Sequence, residues 1–316
     1  MEPAAAPAAA PRKPRAAWVD AARCLAMYPI IWMHAGAAPN GVGEWVGGAL
    51  CLFFLLAGYF MPQEWRPCLK RAGKFALAWA LWSCIAALLY FAMAPEHGIR
   101  WEKLLGWGEA SYDTPLWFLR NLAVYQGIMA LLLALRVLPR YGWLLTAVLA
   151  CCAYASAPSQ HLTLRFDWFW VLLLGFCLKA VPLPRLEDSL RRHLPLLLGC
   201  CVFLLLQPLV LHALLPQVAE CSLPVGSFAR CGLYFAAAFI LCRCSARLGR
   251  GLAAIGSGMM FCYVTHSFFL VPFYLGYDFN WAWNAWVPLL LLPLLTALGA
   301  ALTRRFPRTM AVLQGK

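Results

Sequence analysis

Charged residues are scarce in this chain, and acidic residues are the scarcer kind. Only 12% of the 316 residues are charged, with 13 Asp and Glu against 26 Lys and Arg, whereas 63% are hydrophobic. So little charge excludes an ordinary soluble domain, because one globular core cannot bury so much apolar surface. The mean hydropathy of +0.69 agrees. The composition therefore predicts an integral membrane protein.

The sequence also lacks a polar domain that could bind nucleic acid. The net charge of +13 could suggest such binding, but nucleic-acid-binding proteins gather Lys and Arg on one face of a polar domain. The basic residues here lie between apolar segments instead. We expect membrane lipid as a partner and no nucleic acid.

A metal-binding or disulfide pattern is missing as well, although the chain has 14 cysteines. Nearly all of them lie in apolar runs, where cysteine behaves as a small hydrophobic residue. Cys242 and Cys244 have no histidine or further cysteine nearby in sequence to complete a zinc site. Only Cys221 falls in a predicted external loop. We predict no metal site and no disulfide framework.

Long apolar segments dominate what is present. A helix needs about 20 apolar residues to cross a bilayer, and ten segments meet or approach this length, the sixth being the weakest. They predict an all-α, polytopic membrane protein with about ten transmembrane helices. The segments are 18–36, 45–62, 73–94, 116–137, 141–157, 167–182, 194–215, 227–245, 252–275 and 284–303.

The basic residues predict how these helices are oriented. If the amino terminus is cytoplasmic, most of the 26 Lys and Arg fall on the cytoplasmic side, as the positive-inside rule expects. Both termini are therefore predicted to be cytoplasmic. We expect a disordered tail over residues 1–17, a membrane domain over 18–304 and a second tail over 305–316. The first apolar segment is too long for a cleaved signal peptide, so we expect an uncleaved signal anchor.

The predicted external loop at about 95–115 combines acidic and aromatic side chains. Trp101, Trp107 and Tyr112 alternate there with carboxylates. Such a loop either cradles a sugar or rests its aromatic rings on lipid headgroups.

The first apolar segment carries a cation and an imidazole on one helical face. Arg23 and His34 are separated by three helical turns plus about 20°, or about 16 Å along the axis. Asp20 is placed to pair with Arg23. Intramembrane ionisable groups usually mark a pathway or reaction site, and imidazole is a common general base. We predict that Arg23 and His34 are catalytic residues lining a wet passage; the alternative is that Arg23 snorkels and His34 caps the helix.

Five further polar residues are candidates for the same site. His266 lies in an apolar run, either as a packing residue or as a lining residue of the site. Arg120 either snorkels to the external surface or faces a central cavity. Lys70, Arg71 and Lys74 either set the topology and bind lipid phosphate or hold a phosphorylated cofactor.

Five motifs, in chain order, resemble those of the membrane acyltransferase 3 family. The likeness spans nearly the whole chain, and five motifs in order are far more specific than any one of them. They are Arg23 with His34, the run Phe53-Phe54-Leu-Leu-Ala57-Gly58-Tyr59, the basic start Lys70-Arg71-Ala-Gly-Lys74, the signature Pro115-Leu-Trp117-Phe-Leu119, and Tyr263-Val-Thr-His266.

The resemblance implies an O-acyltransferase in the cell inner membrane. Such an enzyme moves an acyl group, here expected to be acetyl, from cytoplasmic acyl-CoA to a hydroxyl of a cell-envelope glycan or lipid-linked sugar. The phosphates of coenzyme A would lie at Lys70, Arg71 and Lys74, with Arg23 nearby. The thioester would approach His34, which acts either as general base or as a covalent acyl relay.

The resemblance also implies which residues line the path of the acyl donor to His34. Asp20, Tyr59, Trp117, Arg120 and His266 are the expected lining residues of the site. The family often has a serine where this chain has an alanine at position 57, which leaves the substrate preference open.

Two other functional classes compete with acyl transfer. A proton-coupled secondary transporter using Arg23 and His34 would accumulate substrate without acyl-CoA, whereas the enzyme would release free coenzyme A. An assembly partner without chemistry would tolerate the loss of His34. The sequence supports no particular oligomeric state and identifies no acceptor.

Overall fold

The computed structural model describes residues 16–35, 41–93, 115–155, 166–214, 223–274 and 281–315. Within these ranges the chain is helical, with short turns, one turn of 3₁₀ helix at Phe166–Trp168 and no strand. The all-α prediction is therefore confirmed. The helices are α1 (Ala17–His34), α2 (Val42–Tyr59), α3 (Trp65–Met93), α4 (Leu116–Ala134), α5 (Val137–Ala155), α6 (Phe169–Leu178), α7 (Leu183–Leu214), α8 (Leu223–Cys244), α9 (Ala246–Ser257), α10 (Met259–Tyr274), α11 (Trp281–Arg305) and α12 (Pro307–Leu313).

Six of the described helices are long and apolar enough to cross a bilayer, namely α2, α3, α4, α7, α8 and α11. Helix α1 is absent from this set because Asp20, Arg23 and His34 lower its mean hydropathy. The chain is thus an all-helical membrane protein. The count of ten spans and the cytoplasmic position of both termini stay predictions.

The predicted single helix over 252–275 is wrong, because the chain forms α9 and α10 there. The two helices separate at Gly258, whose N–H bonds the carbonyl oxygen of Ile255. Glycine and serine are weak helix formers, and Gly256, Ser257 and Gly258 follow one another at this point. Interrupting the helix here therefore costs little free energy.

Two other helices begin earlier than the apolar pattern predicts. Helix α3 starts at Trp65 and α7 at Leu183, because polar turns precede the apolar part of each. His193 has non-helical backbone angles and marks a kink within α7. The predicted span began at residue 194, so its start coincides with the kink and not with the start of the helix.

Helix α1 lies at the centre of the bundle. It packs against α2, α8, α9, α10 and α11, and Ala22, Ala26, Met27 and Ile31 are fully buried. The contact with α9 is backbone to backbone: a Cβ on Gly256 would lie 1.7 Å from the carbonyl oxygen of Asp20. Small residues permit such close helix approach in membrane proteins, and here the approach fixes the start of α1.

Helices α2 and α6 are held together in the same way. A Cβ on Gly58 would lie 1.9 Å from the carbonyl oxygen of Leu172, and one on Gly175 would lie 2.0 Å from that of Leu55. Because the two glycines face each other's helix, neither position tolerates a side chain. This contact fixes the position of the turn that follows α2 along the axis of α6.

The segment predicted as a carboxyl-terminal tail folds back onto α3 as α12. The Trp82 indole donates to the carbonyl oxygen of Leu313 over 2.8 Å, and Met310 is buried. Gly315 packs against the ring of Phe75. The tail was predicted over residues 1–17, but α1 already begins at Ala17. Residues 1–15, nearly all of the predicted external loop at about 95–115 and Cys221 lie outside the described residues.

Candidate functional site

Three predicted site residues of α3 line one cavity. Lys70, Arg71 and Lys74 border a space of about 530 Å³, at the end of the bundle where Arg23 lies. We call this end of the molecule the arginine end. None of the described residues that line the cavity is acidic. The remaining lining residues are Pro62, Pro67, Phe75, Met260, Gln314 and Gly315.

Arg23 and Arg71 meet at Phe60, on the turn after α2. Arg71 Nη1 donates to the carbonyl oxygen of Phe60 over 3.0 Å. The Arg23 guanidinium lies 5.4 Å from the centre of the Phe60 ring, and the two cations are within electrostatic range of each other. Two residues far apart in sequence are thus brought to one turn, and one of them, Arg71, also borders the cavity.

Lys179, which the sequence did not single out as a site residue, joins this group. Its Nζ donates to the carbonyl oxygen of Met61. Burial lowers the pKa of Lys179, and the nearby Arg71 guanidinium lowers it further. We refer to Arg23, Lys70, Arg71, Lys74 and Lys179 as the cation cluster. So much positive charge around one cavity favours a polyanionic ligand.

The predicted pairing of Asp20 with Arg23 is confirmed. Arg23 Nη1 donates to Asp20 Oδ1 over 2.6 Å, and Asp20 is buried. Tyr59, expected to line the path, donates its hydroxyl to the carbonyl oxygen of Val181 over 2.8 Å. It ties α2 to the segment before α7 and does not border the cavity.

At the opposite end of α1, two histidines meet. The ring centres of His34 and His266 are 5.3 Å apart. His34 is half-buried, whereas His266 is fully buried. We call these residues the imidazole pair and this end of the molecule the histidine end. Sequence reasoning proposed each histidine separately, and the fold brings them together.

The hydrogen bonds of His266 fix its tautomer. Its Nδ1 lies 2.7 Å from the carbonyl oxygen of Tyr263 and 3.2 Å from that of Cys262. Carbonyl oxygens only accept, so Nδ1 carries the proton and Nε2 is an acceptor. Nε2 has no hydrogen-bond partner among the described residues. His266 therefore presents a fixed acceptor at the histidine end.

Two of the sequence motifs form the support of this pair. The Tyr263 hydroxyl donates to the carbonyl oxygen of Pro115 over 2.6 Å, and the Tyr263 and Phe118 rings are 5.1 Å apart. Phe54 connects the same layer to α2 through Phe118, at 4.6 Å, and Trp117, at 6.4 Å. These contacts hold α10, and with it His266, against α4.

Arg120 lies one turn beyond Trp117 on α4. It is half-buried. It does not border the cavity at the arginine end, because the start of α4 lies in the aromatic layer beside Tyr263.

The two ends of the site are joined by α10 as well as by α1. Met260 lines the cavity, and His266 follows six residues later, which is a rise of about 9 Å along a helix. Along α10, the cavity wall and His266 are therefore less than two helical turns apart.

The described residues do not form the wet passage predicted along α1 between Arg23 and His34. Met27 and Ile30 lie between Arg23 and His34 on the same face, and their exposed fractions are 0% and 2%. Helical spacing correctly placed the two polar residues on one face, but it gave no information on how the surrounding helices pack. The residues between them are held in a dry contact.

Among the described residues, no group of three or more His, Cys, Asp or Glu side chains is placed to hold a metal ion.

The acyltransferase domain model of the acyltransferase 3 family matches residues 16–305. The match begins at the start of α1 and ends with α11, so it includes both the cation cluster and the imidazole pair. No curated protein and no solved structure matches the chain.

Proposed function

Because the chain belongs to the acyltransferase 3 family, we propose that it is an acyl-CoA-dependent O-acyltransferase. It transfers an acyl group, expected to be acetyl, to a hydroxyl of an extracytoplasmic cell-envelope glycan or lipid-linked sugar. The arginine end then faces the cytoplasm and the histidine end faces outward across the cell inner membrane. The observation that carries this proposal is a cation-lined cavity joined through one helix to a buried imidazole pair.

The cation cluster suits the phosphates of coenzyme A. Charge-assisted hydrogen bonds from Arg and Lys to phosphate are stronger than neutral ones. Arg71 is already held by the Phe60 carbonyl oxygen, so less side-chain entropy is lost when it binds. The charged part of the donor stays at the cavity, and its thin pantetheine arm enters the bundle.

His34 is the proposed general base. Its imidazole takes the proton of the acceptor hydroxyl as the oxygen attacks the thioester carbonyl. The carbon–sulfur bond then breaks, and the proton passes to the departing thiolate, giving an ester and free coenzyme A. In the second route, a nitrogen of the His34 ring attacks the thioester carbonyl, the carbon–sulfur bond breaks and coenzyme A leaves as a thiolate. The acceptor hydroxyl then attacks the acyl-imidazole, which gives the ester and neutral His34, and the hydroxyl proton passes to the thiolate.

His266 is the proposed positioning residue for His34. Its Nδ1 is committed to two backbone carbonyl oxygens, so Nε2 is left to accept an N–H from the neighbouring ring. The separation of 5.3 Å between the ring centres requires only a small movement to form such a bond. His34 would then offer its other nitrogen, with a free electron pair, to the acceptor hydroxyl.

The packing along α1 favours acyl transfer over proton-coupled transport. A transporter needs a polar route between Arg23 and His34, and Met27 and Ile30 fill that face. An acyltransferase does not need its donor arm to follow this face of α1, because the arm can enter the bundle beside another helix.

The test uses the purified full-length protein in lipid nanodiscs. Acetyl-CoA and an envelope glycan extract are added, and free thiol and acetylated sugar are measured together. We expect both products from the native protein and neither from His34→Ala. Mass spectrometry of envelope glycans from cells with and without the gene should show one lost acetyl-sized increment. Substrate accumulation in sealed vesicles without acetyl-CoA, and no thiol release, would instead support transport.

A further inference from the structure

Gln314 is an uncharged polar residue in the wall of the cavity at the arginine end. It borders this cavity together with Lys70, Arg71 and Lys74 and is 7% exposed. The other side chains that the structure describes in this wall are cationic or apolar. Gln314 also lies outside residues 16–305, which the family model matches. The matched domain therefore does not supply every polar group of the cavity.

The backbone on both sides of Gln314 is held in place. The carbonyl oxygen of Leu313 accepts a hydrogen bond from the Trp82 indole. Gly315 has a φ of +64°, which is the left-handed conformation in which glycine commonly ends a helix. A Cβ at this position would also lie 2.7 Å from Cδ1 of Phe75. Gln314 is thus fixed at the cavity by its neighbours in the chain.

Hydrogen bonds determine which way the Gln314 carboxamide points. The Thr303 hydroxyl donates its single proton to the carbonyl oxygen of Gly299 over 2.7 Å, since a carbonyl oxygen only accepts. Thr303 Oγ1 can therefore only accept from Gln314, whose Nε2 donates to it over 3.4 Å. This arrangement turns the amide oxygen away from Thr303. No described residue donates a hydrogen bond to Gln314 Oε1.

An unpaired acceptor in this wall distinguishes between the parts of coenzyme A. Phosphate oxygens accept hydrogen bonds, so they bind the cationic side chains and not Gln314 Oε1. The adenine base carries an amino group that donates, beside the ring nitrogen N7 that accepts. A glutamine side chain pairs with this edge of adenine through two hydrogen bonds. Its oxygen accepts from the amino group, and the second proton of its nitrogen is donated to N7.

The rest of the wall suits the flat adenine ring. Pro62, Pro67 and Met260 contribute apolar surface, and ligand sites typically combine such surface with a few well-placed polar groups. The volume of about 530 Å³ lies within the range of about 300–1,000 Å³ that is typical of small-molecule sites. The cavity thus offers apolar surface for the base beside cations for the phosphates.

We propose that Gln314 binds the adenine base of the acyl-CoA donor. This assignment rests on the proposed acyl-CoA-dependent function and names the part of the donor that the cavity selects. Gln314 Oε1 accepts from the adenine amino group, and Nε2 donates to N7. The donor is then a free coenzyme A thioester, because an acyl group carried on protein-bound phosphopantetheine has no adenine.

Three donors test this contact on the purified full-length protein in nanodiscs, each in competition with radiolabelled acetyl-CoA. Acetyl-CoA contains adenine. Desamino-acetyl-CoA carries an oxygen in place of the amino group, and S-acetyl-4′-phosphopantetheine lacks the base altogether. The variants are Gln314→Met, which keeps the side-chain length, and Gln314→Glu, which keeps an acceptor oxygen. Gln126→Met is the matched control, because Gln126 is also a buried glutamine but does not border the cavity.

The expected result is a preference for adenine that depends on Gln314. The native protein should bind desamino-acetyl-CoA about tenfold more weakly than acetyl-CoA, because two acceptors then face each other. Gln314→Met should bind both at the weaker level and should bind S-acetyl-4′-phosphopantetheine as the native protein does. Gln314→Glu should keep part of the preference for acetyl-CoA, and Gln126→Met should keep all of it.

Equal affinity of the native protein for acetyl-CoA and desamino-acetyl-CoA would overturn the assignment, whether or not the variants fold. A preference that persists in Gln314→Met would overturn it as well. An equal loss of all three donors in that variant would show a structural role of Gln314 instead. If the native protein bound none of the three donors, the proposed function itself would be refuted.

Discussion

The cation cluster and the imidazole pair differ in the number of residues that would act on a ligand. At the arginine end, three cations of α3 line one cavity, Arg23 and Lys179 lie near one of them, Arg71, and Lys70 is exposed to solvent. At the histidine end, a fully buried ring faces one half-buried ring, and backbone carbonyl oxygens hold it. A polyanion is bound by the sum of many charges, whereas proton transfer depends on one atom in one place. Substitutions at the two ends should therefore differ in kind as well as in size.

The largest effect is expected from His34→Ala. Loss of a general base lowers the rate by about 10²–10⁴-fold, and loss of an acyl relay abolishes turnover. Binding of acetyl-CoA should be unchanged, because the cation cluster is intact. The measurement is free thiol release together with donor binding in nanodiscs. Retained turnover would remove His34 from the chemistry.

A smaller loss is expected from His266→Phe, which keeps an aromatic ring but removes the acceptor nitrogen. We expect kcat to fall about tenfold to a hundredfold with little change in KM for the donor. His266→Gln, which restores an acceptor, should recover part of the rate and shift the pH profile of kcat. A change confined to protein stability, with kcat unaltered in the folded fraction, would contradict the positioning role.

Arg71→Ala should mainly affect donor binding. Removing a charged hydrogen-bond donor raises KM for acetyl-CoA by about tenfold, whereas kcat at saturating donor stays close to that of the native protein. Arg71→Lys should recover only part of the affinity, because lysine lacks the planar fork of arginine. If kcat fell while KM stayed the same, the cavity would not be the donor site.

The smallest effect is expected from Lys70→Ala. Lys70 is exposed, and exposed ionic contacts are worth at most about 1 kcal/mol. We expect KM for acetyl-CoA to rise by less than about fivefold, and the difference should shrink at high salt because free ions screen it. An effect as large as that of Arg71→Ala would contradict the proposal that several cations together bind the donor phosphates.

The sequence predicted what depends on spacing along one helix. The Asp20–Arg23 pair follows from a separation of three residues, and the shared cavity of Lys70, Arg71 and Lys74 follows from one helix start. Family motifs predicted the identity of the chemistry, which the family match supports. The ion pair and the cavity lining depend on neighbouring residues of one helix, and the chemistry was predicted from the family motifs as a set.

Contacts between distant helices could not be predicted. Lys179 lies near Arg71 only because the turn after α6 packs beside Met61, and nothing in the sequence around it differs from an ordinary loop lysine. The dry packing of Met27 and Ile30 depends on five neighbouring helices.

The most apolar surface of this bundle and its predicted site residues lie on different helices. Helix α7 is apolar and exposes Leu196 and Phe203 at 65% and 69%, as expected of a surface in contact with lipid. Helix α1, which carries Arg23 and His34, is not among the helices apolar enough to span a membrane and yet lies at the centre of the bundle. A search for apolar spans alone therefore misses the helix that carries these predicted site residues.

The return of the chain end onto α3 has a practical consequence. Gln314 and Gly315 form part of the cavity wall, and Gly315 packs against Phe75. An affinity tag or a fluorescent reporter fused after residue 316 would begin beside the cavity in which we propose that the phosphates of the donor bind. Reduced activity in such a fusion would reflect the attachment rather than the enzyme, so detection and purification handles belong at the opposite terminus.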